Sequence, residues 1–293
     1  MRKLLVLLIT FTLFTAGCSQ QGRVNSSDRV EVTILGSTAL LPLMRVAAKD
    51  FVAMNPEVSL TVSGGGSLTG LHQVAVGTAD IGTSDVEPPT GDPLYRGLMD
   101  HVVGVIPFLL ITHPDVGVDS LTHKQAVDIF TGKIKNWRAV GGKEMDITII
   151  NRIKSSGSRQ VIKEIILQGQ EFTGNTLLVN SNSEVKNAVA NTPGAIGFIS
   201  ANYLDKSVKA VKYNGVACNE KNVGNGTYPL FTAAHVYTKG EPGGAVKAFI
   251  KFLAGDSFQV KVKRTGLLTV SVIEMIGVEN FKSQGMKDGK DQS

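Results

Sequence analysis

The 293-residue chain is poor in the residues on which most enzyme chemistry and small cross-linked folds depend. Two cysteines exclude a disulfide framework, and neither belongs to a Cys/His array with metal-ligand spacing. The five histidines, His72, His101, His113, His123 and His235, are scattered and make no H-E-x-x-H. A nucleophile elbow is missing, because Gly65-Gly66-Ser67 runs on into Leu68-Thr69. The dinucleotide fingerprint fails as well, since Thr69 stands where a glycine would follow Gly64 and Gly66, and no G-x-x-x-x-G-K-[ST] is present. Phosphate-ester hydrolysis would need a nucleophile or bound metals, and neither is visible. No metal and no cofactor are therefore expected.

Charge of one sign is also scarce. Charged residues make up 19% of the chain and the formal net charge is +5. There is no Lys/Arg cluster and a single Trp, so the chain lacks both the electrostatic footprint and the stacking surface that nucleic acid requires. Long apolar runs are absent with one exception. Arg2 and Lys3 precede an apolar stretch, Leu4 to Phe14, followed by Thr15-Ala16-Gly17 and Cys18. That stretch is too short for a membrane-spanning helix, and its order of segments is that of a secretory signal. The Cys after Ala-Gly resembles a bacterial lipobox, which implies that residues 1–17 are removed and that Cys18 carries the lipid; Thr15 stands where Leu is commoner. Removal of residues 1–17 leaves 28 basic against 25 acidic side chains, a net of +3. If Cys18 is lipidated, Cys218, in the Gly/Asn-rich stretch 214–226, has no partner within the chain and is expected to be an inert thiol.

Three stretches with a shared composition stand out from this background: Gly36-Ser37-Thr38, Ser63-Gly64-Gly65-Gly66-Ser67 and Ser155-Ser156-Gly157-Ser158. Each follows a β-like run (30–35, 58–62, 147–151) and precedes a helix-like one (40–51, 71–76, 160–167). A helix N-terminus presents unpaired N–H groups and partial positive charge, hydroxyls add donors, and glycines allow close approach of the backbone. A single such turn is an ordinary N-cap. Three of them predict a cage of neutral donors for a small oxyanion.

The remaining pattern alternates strand-like and helix-like segments, the signature of an α/β fold with largely parallel sheets. His101 to Thr112 is a nearly continuous apolar strand. Thr122 and Gln125 predict a capping box opening a helix that Gly132 closes. A second helix opens at Asn182-Ser183 and ends before Thr192-Pro193-Gly194. Strands are expected over 195–200, 208–213 and 230–237, and helices over 245–254 and 258–263. Residues 19–29 read as a polar linker and 279–293 as a polar tail.

In this order and spacing the segments resemble the substrate-binding lipoproteins of phosphate ABC transporters. The resemblance runs from Val30 to about Val270. It rests on the three turns with Pro42, on Gly77-Thr78-Ala79-Asp80-Ile81, Ser84-Asp85, the run Asp128 to Trp137, Arg152 and Arg159 about the third turn, Asn191 to Phe198, and Tyr228-Pro229-Leu230. It implies a two-domain type II periplasmic binding protein-like fold. Domain I would comprise 30–112 and 228–278, domain II would be inserted as 113–227, and the ligand cleft would lie between them. Inorganic phosphate is the implied ligand, held by Thr38, Ala39, Ser67, Asp85, Arg152, Ser156, Gly157 and Ser158. The implied partners are ABC permease subunits with a cytoplasmic ATPase, the protein standing outside the cytoplasm as a lipid-anchored monomer.

Arg152 offers a planar fork suited to an oxyanion. Asp85 is the discriminating residue. A carboxylate beside an anion repels it unless the ligand brings a proton to share, which phosphate does near neutral pH and sulfate does not. Trp137 is expected to pack rather than to touch ligand, and as the sole Trp is a candidate reporter of domain closure. Three departures from the family pattern bear on affinity: Lys154 where an acidic residue is common, and Leu68 and Ser155 where glycine is usual. Two other functions share the sequence features: a surface or sensing lipoprotein for a related tetrahedral anion such as arsenate, and, less well supported, a phosphatase.

Overall fold

The computed structural model describes residues 29–276. The signal segment 1–17, Cys18 and the tail 279–293 lie outside those residues. In chain order the elements are β1 (Val30–Gly36), α1 (Leu41–Met54), β2 (Val58–Gly64), α2 (Ser67–Val76), β3 (Ile81–Ser84), β4 (Leu98–Thr112), β5 (Ser120–Leu121), α3 (His123–Phe130), β6 (Thr148–Arg152) and α4 (Gly157–Ile165). They continue with β7 (Leu177–Val179), α5 (Asn182–Asn191), β8 (Ala195–Ser200), β9 (Lys209–Tyr213), α6 (Glu220–Gly224), β10 (Phe231–Lys239), α7 (Gly244–Ala254), α8 (Asp256–Arg264) and α9 (Ser271–Ile276).

The expected α/β architecture is present, but the sheet is mixed where a largely parallel one was predicted. Its strands run in the order β2-β1-β3-β10-β4-β8-β6-β7, with β9 beside β4 and β5 beside β9. The pairs β1–β2, β1–β3, β6–β7, β6–β8 and β5–β9 are parallel; every pair that includes β4 or β10 is antiparallel. Strand β4 carries the chain from one half of the sheet to the other, and the segment just before β10 brings it back. From Leu98 to Pro107, β4 pairs with β10; from Phe108 to Thr112 it pairs with β8 and β9. The return passage lies against it, since the Phe108 N–H donates to the Leu230 carbonyl at 2.7 Å and the Tyr228 hydroxyl donates to the Phe108 carbonyl at 2.7 Å.

Local chemistry accounts for the elements that frame the cleft. Strand β8 is buried at all six residues, as a strand covered on both faces must be. Thr122 and Gln125 close the predicted capping box on α3. Ser181 caps α5 through the Glu184 N–H, while the Glu184 carboxylate accepts from the Asn180 N–H at 3.0 Å and the Ser181 hydroxyl at 3.0 Å. Trp137 is fully buried, with its indole N–H donating to the Gly194 carbonyl at 2.8 Å, so it packs inside the half of the sheet that holds β8. Two helices escaped the sequence reading. Helix α6 falls in the Gly/Asn-rich stretch, opened by Asn219 as N-cap, and α9 is a short run of six residues.

Candidate ligand-binding site

The turn after β1 is fixed by Ser37. Its N–H donates to the Thr83 carbonyl at 2.8 Å, and its Oγ accepts from the Ala39 and Leu40 amides at 3.0 and 3.2 Å. The Ser37 hydrogen goes to Asp85 Oδ1. The Ser37 hydroxyl thus has its hydrogen and both lone pairs occupied inside the protein. Thr38 is the next residue, 6% exposed. Its Oγ1 accepts from Arg152 Nη2 at 3.2 Å and from Asn182 Nδ2 at 3.0 Å. Ala39 is fully buried, with its amide turned onto Ser37.

The second turn starts α2 earlier than the helical periodicity suggested, at Ser67 rather than Leu71. Gly66 precedes it with φ of +96°, and a Cβ there would stand 2.5 Å from the Ser155 carbonyl oxygen, so the position needs glycine. Ser67 is fully buried, and its Oγ accepts the Asp85 N–H at 2.9 Å. Asp85 follows β3 and is 2% exposed. Its two carboxylate oxygens receive the hydroxyls of Ser37 and Ser158, the latter at 2.9 Å. An ionised carboxylate offers about four lone-pair sites, so acceptor capacity remains.

The third turn opens α4, which begins at Gly157, three residues before the predicted start. Ser156 is its N-cap and accepts the Arg159 N–H at 3.2 Å. The amides of Gly157 and Ser158 belong to the first turn, where a helix supplies no acceptor of its own. Gly157 packs directly on the second turn, and a Cβ there would meet Ser67 Oγ at 2.1 Å, Ser67 Cβ at 2.7 Å and Asp85 Cβ at 2.8 Å. The second and third turns are also laced by the Leu68 N–H to the Ser155 carbonyl, 3.1 Å, and the Ser155 hydroxyl to the Gly65 carbonyl, 3.2 Å.

Arg152 ends β6 and is 1% exposed. Its Nη2 donates to Thr38 Oγ1 and to the Asn180 carbonyl at 2.9 Å, whereas Nε and Nη1 are buried with no hydrogen-bond partner among the described residues. A buried guanidinium with two unanswered donors is costly unless an acceptor meets them. Burial pulls Arg152 down to about 10, opposed by the charges of Asp85 and Glu184, so it stays cationic at neutral pH. Burial pushes the Asp85 carboxyl up from its ordinary range, against the pull of the Ser37 and Ser158 hydroxyls and the Arg152 and His235 charges. The first turns of α2, α4 and α5 converge here, and each helix N-terminus carries about half a positive charge. The arrangement is a buried ring of donors with one acceptor among them.

Of the eight residues singled out by the sequence, Thr38, Ala39, Ser67, Ser156, Gly157 and Ser158 lie on or beside the three turns, and Asp85 after β3 and Arg152 at the end of β6 are joined to them by hydrogen bonds. The sequence reading did not select Ser37, Asn182, Asn202 or Tyr203. The last two also hold the first turn, through Asn202 Nδ2 to the Ala39 carbonyl at 2.9 Å and the Tyr203 hydroxyl to the Thr38 carbonyl at 2.7 Å. Among the departures, neither Leu68 nor Ser155 lies at positive φ, so the missing glycines impose no backbone strain. Lys154 is exposed. Cys218 is half-buried, and burial raises its thiol to about 12.

Comparison with known proteins places these observations. Residues 22–257 match the model of the PBP superfamily domain. A phosphate-binding protein PstS of Bacillus subtilis is 37% identical over 271 residues, covering 88% of this chain and 90% of the relative. A Clostridium perfringens ABC transporter substrate-binding protein, solved with bound phosphate, superposes with a TM-score of 0.79 at 32% identity, covering 82% of this chain and all of that one. An ABC-type phosphate transport receptor from Vibrio cholerae superposes with a TM-score of 0.68 at 28% identity, over 81% of this chain and 99% of its own.

Proposed function

Since the chain belongs to the PBP superfamily and, within it, to the phosphate-binding PstS family, we propose that it binds inorganic phosphate outside the cytoplasm and delivers it to an ABC-type permease. The observation that carries this reading is the pairing of unlike groups in one buried ring. Arg152 presents two unanswered donors, and Asp85 presents an acceptor that only a protonated oxyanion can meet.

In this reading the hydroxyls of Thr38, Ser67 and Ser156, the first-turn amides of α4 at Gly157 and Ser158, and the Arg152 fork supply donors to the phosphate oxygens. Ser158 serves twice, by its amide toward the ligand and by its hydroxyl toward Asp85. Ala39 lines the first turn with its amide shared with Ser37. Asp85 takes the ligand's remaining proton. Hydrogen phosphate brings one proton, and that proton lies between a ligand oxygen and the ionised Asp85 carboxylate. Sulfate brings none, so at neutral pH it would set two anionic oxygens against each other in a buried site.

The same reading divides the chain into 30–112 with 228–278 as one domain and 113–227 as the inserted second. The first two turns then belong to one domain and the third to the other, and a ligand gripped by both favours the closed arrangement through its differential contacts. Lipid on Cys18 would hold the protein to the membrane; no described helix is long and apolar enough to cross one. The protein acts as a carrier, not an enzyme.

The test is to give purified mature protein inorganic phosphate in a calorimeter and phosphate monoesters in a release assay. Saturable one-to-one binding of phosphate with no ester turnover is expected. Release of phosphate from esters would replace the carrier reading with a catalytic one.

A further inference from the structure

The hydrogen-bond pattern around Thr38 fixes more than its position. Asn182, the first residue of α5, is fully buried, and its Oδ1 accepts the Ser200 N–H at 2.9 Å. A backbone N–H can only donate, so that contact settles which end of the Asn182 amide is which, and Nδ2 must face Thr38 Oγ1 at 3.0 Å. Arg152 Nη2, on the other side of Oγ1 at 3.2 Å, is likewise a donor and nothing else. A hydroxyl oxygen has two lone pairs and one hydrogen. With both lone pairs taken by Asn182 and Arg152, the Thr38 hydroxyl can only donate.

We propose that Asn182 is a positioning residue that makes Thr38 a donor-only group and so forces the bound anion to turn a proton-free oxygen toward it. The ligand's single proton is thereby reserved for Asp85. The inference rests on the phosphate-binding reading above and deepens it: specificity for the protonation state comes from two groups of opposite polarity, one acceptor-only at Asp85 and one donor-only at Thr38. Without Asn182, the Thr38 oxygen regains a lone pair and can accept a proton from a more fully protonated ligand. The charged and titratable groups around this point are Arg152 from the end of β6, Asp85 after β3, Glu184 from α5 and the Tyr203 hydroxyl, on which Arg45 of α1 also acts. Tyr203 is held up at about 12 by burial and does not titrate near neutrality.

A double-mutant cycle separates this role from a merely structural one. Phosphate affinity is measured by calorimetry at neutral pH for the wild type, Asn182→Ala, Thr38→Val and the double variant. Asn182→Ala alone is expected to weaken phosphate about tenfold, the worth of one hydrogen bond to a charged group. In the Thr38→Val background the same change should cost less than about twofold, because the hydroxyl through which it acts is gone. Equal loss in both backgrounds would overturn the inference. Asn182→Asp keeps the shape and the Ser200 contact but offers Thr38 an acceptor. It should bind phosphate poorly at neutral pH and recover as the pH is lowered and the new carboxyl takes a proton, while a variant whose loss did not change with pH would count against the role. If Asn182→Ala fails to fold, the pH profile of Asn182→Asp decides alone. Failure of the wild type to bind phosphate would strike at the ligand reading itself, and that outcome is distinct from additivity in the cycle.

Discussion

Gly157→Ala tests the packing of the third turn on the second and, through it, the proposed closure of two domains on the ligand. Gly157 lies in the first turn of α4 at an ordinary helical φ, so alanine is not strained by the backbone. The obstacle is steric. The added methyl would lie 2.7 Å from Ser67 Cβ and 2.8 Å from Asp85 Cβ, where carbon atoms prefer about 3.5–4.0 Å. Neither neighbour can retreat easily, because Ser67 is buried and bonded to the Asp85 amide, and Asp85 is held by two hydroxyls. Overpacking of this kind costs about 1–3 kcal/mol. At about 1.4 kcal/mol per decade, phosphate should bind roughly 5- to 150-fold more weakly. On the proposed domain division the overlap is between residues of different domains, so a molecule opened between them would avoid it. Calorimetry should therefore show the affinity loss while thermal unfolding without phosphate stays near the wild-type temperature. Unchanged affinity would refute the packing argument; an equal loss of ligand-free stability would show that the change damages the fold rather than its closure.

Further outcomes follow from the electrostatics. Asp85→Asn should admit sulfate at neutral pH, since the amide can donate to a fully deprotonated anion, and a variant that still excludes sulfate would contradict the role given to the carboxylate. The same substitution should raise the unfolding temperature of the unliganded protein. Burial holds the native Asp85 carboxyl above its unfolded value, so stability falls as the pH rises from the unfolded toward the native value, and the full cost of the ionised form is carried above it. The gain from Asn should thus shrink as the pH is lowered through that value, and a gain independent of pH would point elsewhere. Arg152→Lys should weaken phosphate by about 10- to 100-fold, because a point charge cannot replace a fork whose Nη2 also braces Thr38 and the Asn180 carbonyl; a change within twofold would remove Arg152 from the site. Cys218, raised to about 12 and half-buried, should resist thiol reagents until the protein unfolds, which a colourimetric thiol assay reads directly.

The three turns were legible because glycine and hydroxyl residues at a strand-to-helix junction have few other uses. Their helix starts were misread for the same reason. Ser67 and Gly157 are poor helix formers, so apolar periodicity begins only at Leu71 and Gln160, past the very turn that faces the ligand. The antiparallel centre of the sheet left no local trace. β4 and β10 read as ordinary apolar strands, and their pairing joins residues more than a hundred positions apart. Asn182 and Tyr203 escaped notice on similar grounds, since they reach Thr38 across 144 and 165 positions and no motif marks them. Ser37 was within sight but was overshadowed by its neighbour Thr38, and nothing in the sequence shows that its hydroxyl is turned inward onto Asp85. Trp137 was correctly taken as a packing residue. It is fully buried, and its indole N–H donates to the Gly194 carbonyl.

The account depends on a proton shared between the ligand and Asp85. The most direct test is a paired calorimetric titration of the wild-type protein with phosphate and with sulfate, at neutral pH and again under acid conditions where the raised Asp85 carboxyl is itself protonated. Tight phosphate binding with no sulfate signal at neutral pH, and sulfate binding emerging only on acidification, is the predicted pattern. Sulfate that binds as strongly as phosphate at neutral pH would contradict it.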